Sequence, residues 1–403
     1  MQRLLIALYA IWRNLVGRLR APREGRSEQV LILFQQVFGD AVVLASALHG
    51  YVDLFVRQKG MKVTLLCKPV IAKFLSEVAP VPDGIKVETM DFKRSFDDFC
   101  YFRAMSRKYR RYGDVVIVPG SSLSAELLST TLIAQRRIGM TNVIRRKWPP
   151  QLVIFERLAY TEPIVPELGT MMIQRHRIML NYLGLEGYKG KLPLLLRQKR
   201  IIDGDYCVIC PGASVPVKRW PAERFAAIAD YLIDTLGWKV HVCGGTDEAL
   251  DCQRMIAASK CSESIISHVG KTSFAEWSSI IEYAQMTIGN DSATLHIAAA
   301  HRVPSVCIAG IYDKYQFFPY LVDELDSGDR LPETALADMP CAYCRTKGYF
   351  AGYGNSACQQ TLKAGKCALC IEAISVEMVK EIISRIVGTF VDRIPVQKGI
   401  LNI

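Results

Sequence analysis

The chain has 403 residues, of which 50% are hydrophobic and 22% are charged, and its formal net charge is +11. This length predicts two domains rather than one, and the composition excludes a disordered or fibrous chain. No recognisable secretory cleavage site precedes the thirteen cysteines. We therefore expect reduced thiols and a cytoplasmic location rather than a disulfide framework.

The positive charge is confined to the first two-fifths of the chain. Residues 1–28 carry six Arg against two Glu, residues 29–165 carry nineteen Lys and Arg against twelve acidic residues, and residues 166–403 carry twenty-five of each. This asymmetry indicates an anionic partner, such as lipid headgroups or a phosphorylated glycolipid, although basic surfaces also serve solubility. No nucleic-acid-binding module accompanies the charge, so we expect no nucleic-acid partner.

Residues 1–20 predict a basic amphipathic helix. Apolar side chains recur at helical spacing from Leu4 to Leu19, with arginines among and beyond them. The uninterrupted apolar run from Leu4 to Trp12 has nine residues, whereas a membrane-spanning helix needs about 20. The favoured interpretation is an anchor at the inner-leaflet surface of the inner membrane. A signal peptide and a helix packed onto the domain are the alternatives.

From Gln29 onward, short apolar strands alternate with amphipathic helices, which predicts parallel sheets covered on both faces. The alternation weakens between about 150 and 200, where prolines and glycines supply turns, and then restarts. The simplest architecture is two doubly wound α/β domains facing a cleft. The predicted divisions are an arm at 1–28, an N-terminal domain at 29–165, a linker region at 166–200, a C-terminal domain at 201–374 with a cysteine-rich loop at 341–370, and a helix and tail at 375–403.

Loops that follow predicted strands carry the candidate site residues, because open parallel sheets bind ligands at the carboxyl ends of their strands. The first loop holds Gly39 and Asp40, whose carboxylate could deprotonate a hydroxyl group; a helix N-cap is the alternative. The second loop holds Gly212, Ser214 and Lys218, which suit a phosphate group. A solvated loop with ordinary surface cations is the alternative there.

Two further loops have the same character. Gly244, Gly245 and Glu248 could present a carboxylate to ribose or sugar hydroxyls, with a plain helix cap as the alternative. The last loop opens a short helix whose N-terminus suits a diphosphate, and its histidine is either functional or simply packed. Its residues are Asp291, Ser292, Ala293, Thr294 and His296.

Five motifs in this order resemble glycosyltransferase family 9, the ADP-heptose heptosyltransferases and their relatives. The resemblance spans about residues 30–386 and implies a GT-B architecture, which consists of two Rossmann-like domains. It also implies a nucleotide sugar as donor, which in this family is ADP-linked heptose, and a lipopolysaccharide-core-like or related anionic glycolipid as acceptor. The motifs are FGD at 38–40, PGAS…KRWPAERF at 211–225, GGTDE at 244–248, VGKTS at 269–273 and GNDSATLHIAAA at 289–300.

The resemblance also implies roles for individual residues. Asp40 corresponds to the general base, Lys218 to the cation that stabilises the donor diphosphate, and Glu248 to an acidic donor contact. The loop from Asp291 to His296 corresponds to the donor-binding loop, and catalysis requires no metal. The family usually has Gly where this chain has Ala293, and a Cβ there would interfere if the backbone needed a positive φ or close approach to phosphate. The alternatives are a nucleotide-sugar epimerase and a catalytically silent scaffold at the membrane.

Two C-x-x-C pairs lie near the C-terminus. Cys341 and Cys344 form the first pair, and Cys367 and Cys370 form the second after a gap of twenty-two residues. This spacing is typical of a structural zinc site. Reduced thiols that line a loop are the alternative interpretation.

Overall fold

The computed structural model describes residues 1–19, 28–120, 122–141, 156–167, 169–341, 344 and 356–391. These residues divide into two compact units. Unit 1 comprises Met1–Leu196 and Leu321–Ser327, and unit 2 takes Arg197–Tyr320 and most of the chain after Gly328. The change between units falls between Leu196 and Arg197, within the predicted linker region.

Unit 1 is built on a six-stranded parallel sheet in the order β3-β2-β1-β4-β5-β6. The central strand β1 is buried from its second residue onward, as its continuous apolar sequence predicts for a strand covered on both faces. Val30 of this strand pairs with Val63 on one side and with Val115 on the other. The strands are β1 (Gln29–Phe34), β2 (Lys62–Cys67), β3 (Ile85–Thr89), β4 (Val115–Val118), β5 (Arg136–Met140) and β6 (Glu162–Ile164).

Helices follow most strands of unit 1, as the alternating sequence pattern predicts. Phe38–Gln58 is a continuous helical stretch that is long and apolar enough to cross a membrane, but 78% of its most apolar window is buried inside the protein. This stretch is the core helix of unit 1. The helices are α1 (Gln2–Leu19), α2 (Phe38–Tyr51, continued by a π-helical segment to Gln58), α3 (Pro69–Val78), α4 (Phe92–Asp97), α5 (Phe99–Tyr109), α6 (Leu123–Thr131) and α7 (Met172–Leu183).

Helix α1 packs onto unit 1 through a narrow stripe. Ile6 and Ala10 are fully buried in a cluster that includes residues of β1, α5 and α6. The Asn14 amide donates hydrogen bonds to the carbonyl oxygens of Thr130 and Leu158, each at 3.1 Å. The predicted apolar stripe that begins at Leu4 lies on the opposite side of the helix and is exposed. A helix is present where the sequence predicts one, but most of its large apolar side chains are not part of the core.

Unit 2 repeats the architecture with a parallel sheet in the order β12-β11-β10-β7-β8-β9. Its strands are β7 (Tyr206–Cys210), β8 (Lys239–Val242), β9 (Ile265–Ser267), β10 (Met286–Asn290), β11 (Ser305–Ile308) and β12 (Glu333–Ala335). Its helices are α8 (Ala222–Leu236), α9 (Ala249–Ala258), α10 (Phe274–Glu282), α11 (Ala293–Ala300), α12 (Ser356–Lys363), α13 (Leu369–Glu372) and α14 (Val376–Val391).

Local sequence signals set several of these boundaries. Helix α8 begins directly after Pro221 and ends at Gly237, whose φ of 66° is the left-handed conformation that glycine adopts readily. Helix α10 opens with a capping box in which the Ser273 hydroxyl accepts the Glu276 N–H at 3.2 Å and the Glu276 carboxylate accepts the Ser273 N–H at 2.7 Å. The proline, the glycine and the capping box are local sequence signals for helix termini.

Candidate functional site

Asp40 lies at the carboxyl edge of the unit 1 sheet. It belongs to the first turn of α2, which begins soon after β1 ends, and it is buried together with Gly39. The Asp40 carboxylate accepts the Val37 N–H at 3.4 Å. Val37 is the N-cap residue of α2 and Asp40 is the third helical residue, so the predicted alternative, in which Asp40 is the N-cap, is wrong. Asp40 instead makes a long capping-box contact from inside the first turn. Its position at the end of a central strand is also where a catalytic carboxylate would lie.

A lysine outside the set of predicted site residues lies near Asp40. Lys68 follows β2, the neighbour of β1, and its ammonium group donates to the Gln36 carbonyl oxygen at 3.1 Å. Burial lowers the pKa of Lys68, and the negative charge of Asp40 acts in the opposite direction. A neighbouring ammonium favours an ionised carboxylate, which is the form that a general base requires. The position after an adjacent parallel strand was the available signal for Lys68.

A second polar contact lies at the same edge of the sheet. The Ser124 hydroxyl, at the start of α6, donates to the Gln35 side-chain oxygen at 2.9 Å. Ser124 follows β4, so the loops after β1, β2 and β4 all contribute polar groups to this edge. The polar groups at this edge of the sheet can form hydrogen bonds with a polar ligand bound to unit 1.

In unit 2 the structure brings together two of the predicted residues as a buried ion pair. Lys218 closes a short 3-10 turn that begins at Pro216, and Asp291 follows β10 directly. The Lys218 ammonium lies 2.8 Å from the Asp291 carboxylate, and only 11% and 8% of the two side chains are exposed. The ammonium also lies 5.3 Å from the centre of the Phe317 ring. The pair fixes the position of a cation at the carboxyl edge of the sheet.

Helix α11 begins beside this ion pair. Ser292 is its N-cap residue in an extended conformation, and Ala293 and Thr294 are its first helical residues. Among the described non-glycine residues, only Arg302 and Tyr315 have a positive φ. Ala293 therefore has no positive φ, and its Cβ causes no backbone strain. The second concern about alanine at this position, close approach of the backbone to phosphate, is a separate matter. The N–H groups and the positive end of the helix dipole make this terminus a suitable anion site.

His296 is buried rather than presented to a ligand. Its Nδ1 atom is hydrogen bonded to the Tyr320 hydroxyl, and its ring centre lies 4.9 Å from that of Phe318. Burial lowers the pKa of His296 to about 4, although the charge of Asp291 acts in the opposite direction. The imidazole is therefore neutral near pH 7 and supports the segment that carries Phe318 and Tyr320. No local pattern in the sequence pointed to that segment.

Asn290 joins the loops around the ion pair. Its amide nitrogen donates to the Pro211 carbonyl oxygen at 2.7 Å, and its side-chain oxygen accepts the Trp220 N–H at 3.1 Å. Asn290 is fully buried at the end of β10. It therefore ties the glycine loop and the turn that carries Lys218 to the central strand. Asn290 belongs to the motif at 289–300, but its role could not be predicted from the sequence.

The remaining predicted residues of unit 2 form a second group near Gly212. The Glu248 carboxylate accepts the Gly245 N–H at 2.9 Å, and a side chain at Gly212 would overlap it. A Cβ added at Gly244 would also lie 3.0 Å from this carboxylate. Burial raises the pKa of Glu248, and the hydrogen bond from Gly245 opposes that effect. Ser214 lies exposed on the same loop.

The cysteines of the two C-x-x-C pairs pack in the core of unit 2, with Cys358 among them. Burial raises the pKa of Cys370 to about 12, and the charges of Cys344, Cys358 and Cys341 act in the same direction. Among the described residues, no group of three or more His, Cys, Asp or Glu side chains is arranged to hold a metal ion. The zinc interpretation stays a prediction, which metal analysis of the purified protein tests.

Comparison with known proteins gives one sequence family and one fold. Residues 102–342 match the model of glycosyltransferase family 9 (heptosyltransferase). Lipopolysaccharide heptosyltransferase 3 of Escherichia coli is 29% identical over 178 residues, which cover 41% of this chain and 52% of that protein. The match thus spans about half the length of this relative.

Two solved structures share the two-unit fold. The glycosyltransferase family 9 protein of Veillonella parvula has a TM-score of 0.62 at 17% identity, covering 90% of this chain and 97% of its own. E. coli heptosyltransferase WaaC with ADP-2-deoxy-2-fluoro heptose has a TM-score of 0.56 at 16% identity, covering 89% and 99%. Both confirm the GT-B fold class, with its two Rossmann-like units. Because the family model covers more than half of the sequence, the chain belongs to glycosyltransferase family 9, the heptosyltransferase family.

Proposed function

We propose that the protein is an inverting glycosyltransferase that moves heptose from ADP-heptose onto a lipopolysaccharide-core-like glycolipid. The observation that carries the proposal is the buried Lys218–Asp291 pair beside the N-terminus of α11. A fixed cation and a helix N-terminus together suit a diphosphate. A fold relative was solved with an ADP-linked fluoro-heptose, which supports the choice of nucleotide and sugar.

The donor residues would act on the leaving group. As the bond between the anomeric carbon and the diphosphate breaks, negative charge develops on ADP, and Lys218 and the α11 N–H groups stabilise it. A lysine ammonium has three N–H donors, so it can bind a phosphate oxygen while it remains paired with Asp291. This charge stabilisation performs the task that a metal ion performs in other enzymes, and we propose that the reaction requires no metal.

Asp40 would act on the acceptor. Its carboxylate takes the proton from an acceptor hydroxyl as that oxygen attacks the anomeric carbon from the face opposite to the diphosphate. A single displacement of this kind inverts the anomeric configuration. Lys68 lies close enough to Asp40 for their charges to interact, although burial lowers the pKa of Lys68.

The proposed class of acceptor is inferred from the distribution of charge along the chain. Residues 29–165 carry a surplus of seven positive charges, whereas residues 166–403 are neutral overall. A phosphorylated glycolipid is an anionic acceptor that would complement such a surface. We propose that transfer takes place at the cytoplasmic face of the inner membrane. The thirteen free cysteines suit a reducing compartment. A silent scaffold or an epimerase is not favoured, because Lys218 and Asp291 lie within the family match and Asp40 is present as well.

Thermal unfolding in the presence of nucleotides tests the donor site. A ligand that binds only the folded state raises the Tm, so ADP, UDP and GDP can be ranked, with and without a chelator. We expect the largest rise with ADP, no effect of the chelator, and loss of the rise in K218A. The exposed Lys260 provides a matched control, and K260A should respond as the wild type does. Absence of a rise with any nucleotide would contradict the proposal.

A further inference from the structure

Helix α1 presents an uninterrupted apolar face to solvent. Leu4, Leu5, Leu8, Trp12 and Leu15 are each between 42% and 62% exposed. At 100° per residue these side chains lie within one sector of the helix, opposite the sector that contains Ile6, Ala10 and Asn14. An ordinary surface helix directs its apolar stripe towards the core. Here the packing is made by the narrow opposite side, so the broad apolar face has no covering within the described structure.

The buried side of α1 fixes this face to unit 1. Besides the contacts of Ile6, Ala10 and Asn14, the Tyr9 ring packs edge-on against Phe99 and Phe102 at 5.6 and 6.2 Å. Gln2 accepts the N–H of Phe99 at 3.2 Å. The exposed face therefore belongs to a helix docked on the folded domain.

Helix α1 and the helices that contact it are rich in positive charge. Helix α1 contains three Arg and no acidic residue, and residues 92–111, which include the adjacent helices α4 and α5, contain seven Lys and Arg against two Asp. Arg103 and Arg107 on α5 are exposed. Arg13 lies 5.5 Å from the centre of the Trp12 ring. Apolar side chains that include Trp, flanked by arginines, are the pattern of a helix that lies in a membrane interface.

We infer that α1 and the basic helix α5 form a docking surface for a bilayer that contains anionic lipid. Leu4, Leu8 and Trp12 would enter the boundary between headgroups and acyl chains, and Arg103 and Arg107 would meet the negative headgroups. The charge argues against a second copy as the occupant, because a symmetric contact through this face would bring the same basic helices together. The inference concerns a surface outside the proposed transfer site, and its test measures no transfer.

Vesicle co-sedimentation of the full chain tests the inference. One set of vesicles contains phosphatidylcholine alone, and the other contains phosphatidylcholine and phosphatidylglycerol in equal amounts. We expect binding to the anionic vesicles that weakens as salt is added, and little binding to the neutral ones. The double variant L8S/W12S should lose at least about tenfold in partitioning, since two large apolar groups no longer enter the bilayer.

Matched variants separate the roles of apolar area and charge. L250S removes an equally exposed leucine of unit 2 and should bind as the wild type does. R103E/R107E should lose the preference for anionic vesicles. All variants change exposed side chains, so an unchanged Tm shows that they fold. Failure of the wild type to bind anionic vesicles, or wild-type binding by L8S/W12S, would overturn the inference. So would a stable dimer in sedimentation velocity that L8S/W12S dissociates.

Discussion

The carboxyl group of Glu248 occupies the space next to Gly212 that a side chain at residue 212 would fill. Gly212 lies near the start of the loop after β7, and Glu248 closes the 3-10 turn after β8. The Gly212 position therefore has to lack a side chain for Glu248 to sit over the loop and accept the Gly245 N–H. Both residues belong to the proposed donor site, so this relationship ties the glycine to donor binding.

We predict that G212A destabilises the protein by about 1–3 kcal/mol, because the added methyl group displaces the Glu248 side chain. The variant should also bind ADP more weakly. Urea unfolding and the thermal response to ADP measure the two effects. G388A in α14 is the matched control, since a methyl group there meets nothing within 4 Å. E248A in the G212A background should recover stability; continued destabilisation would contradict the overlap.

Removing one charge of the Lys218–Asp291 pair should lower the free energy of unfolding. K218M leaves a buried carboxylate without its partner, and we expect a loss of about 3–5 kcal/mol in unfolding free energy. K218M/D291N removes both charges and should cost less than the sum of the two single changes. The exposed pair Lys191–Asp326 is the control, where K191M should cost less than about 1 kcal/mol. Additive costs at Lys218 and Asp291 in urea unfolding would show that the pair is not coupled.

Restoring the family's usual glycine should change little. Ala293 occupies an ordinary helical position at the start of α11, so A293G should lower stability by less than about 1 kcal/mol. We expect the affinity for ADP to be unchanged, as measured by calorimetry. A large gain in affinity would show that the Ala293 Cβ obstructs the phosphates.

His176 makes stability sensitive to acid. It is buried in α7, neither ring nitrogen has a hydrogen-bond partner in the described structure, and burial lowers the pKa of His176 to about 4. The unfolded chain takes up this proton near the usual pKa of about 6.5. Between these two values the unfolded state therefore binds more protons, and unfolding free energy falls as pH falls from about 6.5 to about 4.

The variant H176L should flatten this pH dependence by up to about 3 kcal/mol across that window. Urea unfolding at pH values from 7 to about 4 measures it. The lowered pKa values of His241, His296 and His301 act in the same direction, so some slope should remain. An identical slope in H176L and the wild type would contradict the assignment.

Local sequence signals were sufficient for most of the fold. The apolar run at 62–67 forms β2, and Pro221 and Gly237 delimit α8. Lys218 and Asp291 were both named because each follows a strand, and parallel strands end at one edge of the sheet. That they form a pair could not be predicted, because seventy-three residues separate them.

Contacts between residues that are distant in sequence account for the parts of the site that could not be predicted. Asn290, Tyr320 and Lys68 act through partners distant in sequence, and no periodicity encodes such pairings. Leu321–Ser327 belongs to unit 1 although the residues before it belong to unit 2, and this too depends on contacts distant in sequence. For α1 the spacing predicted the helix and its apolar stripe, but spacing alone cannot tell whether a stripe faces the core or the solvent.

The central claim is tested most directly by a transfer reaction with ADP-heptose and a heptose-deficient lipopolysaccharide acceptor, followed by mass spectrometry. We predict that the wild type adds one heptose to the acceptor, with or without a chelator, and that D40N is slower by at least about 100-fold while it still binds ADP. D53N changes an exposed carboxylate farther along the same helical stretch and should retain full activity. An acceptor of unchanged mass, or full activity in D40N, would contradict the account.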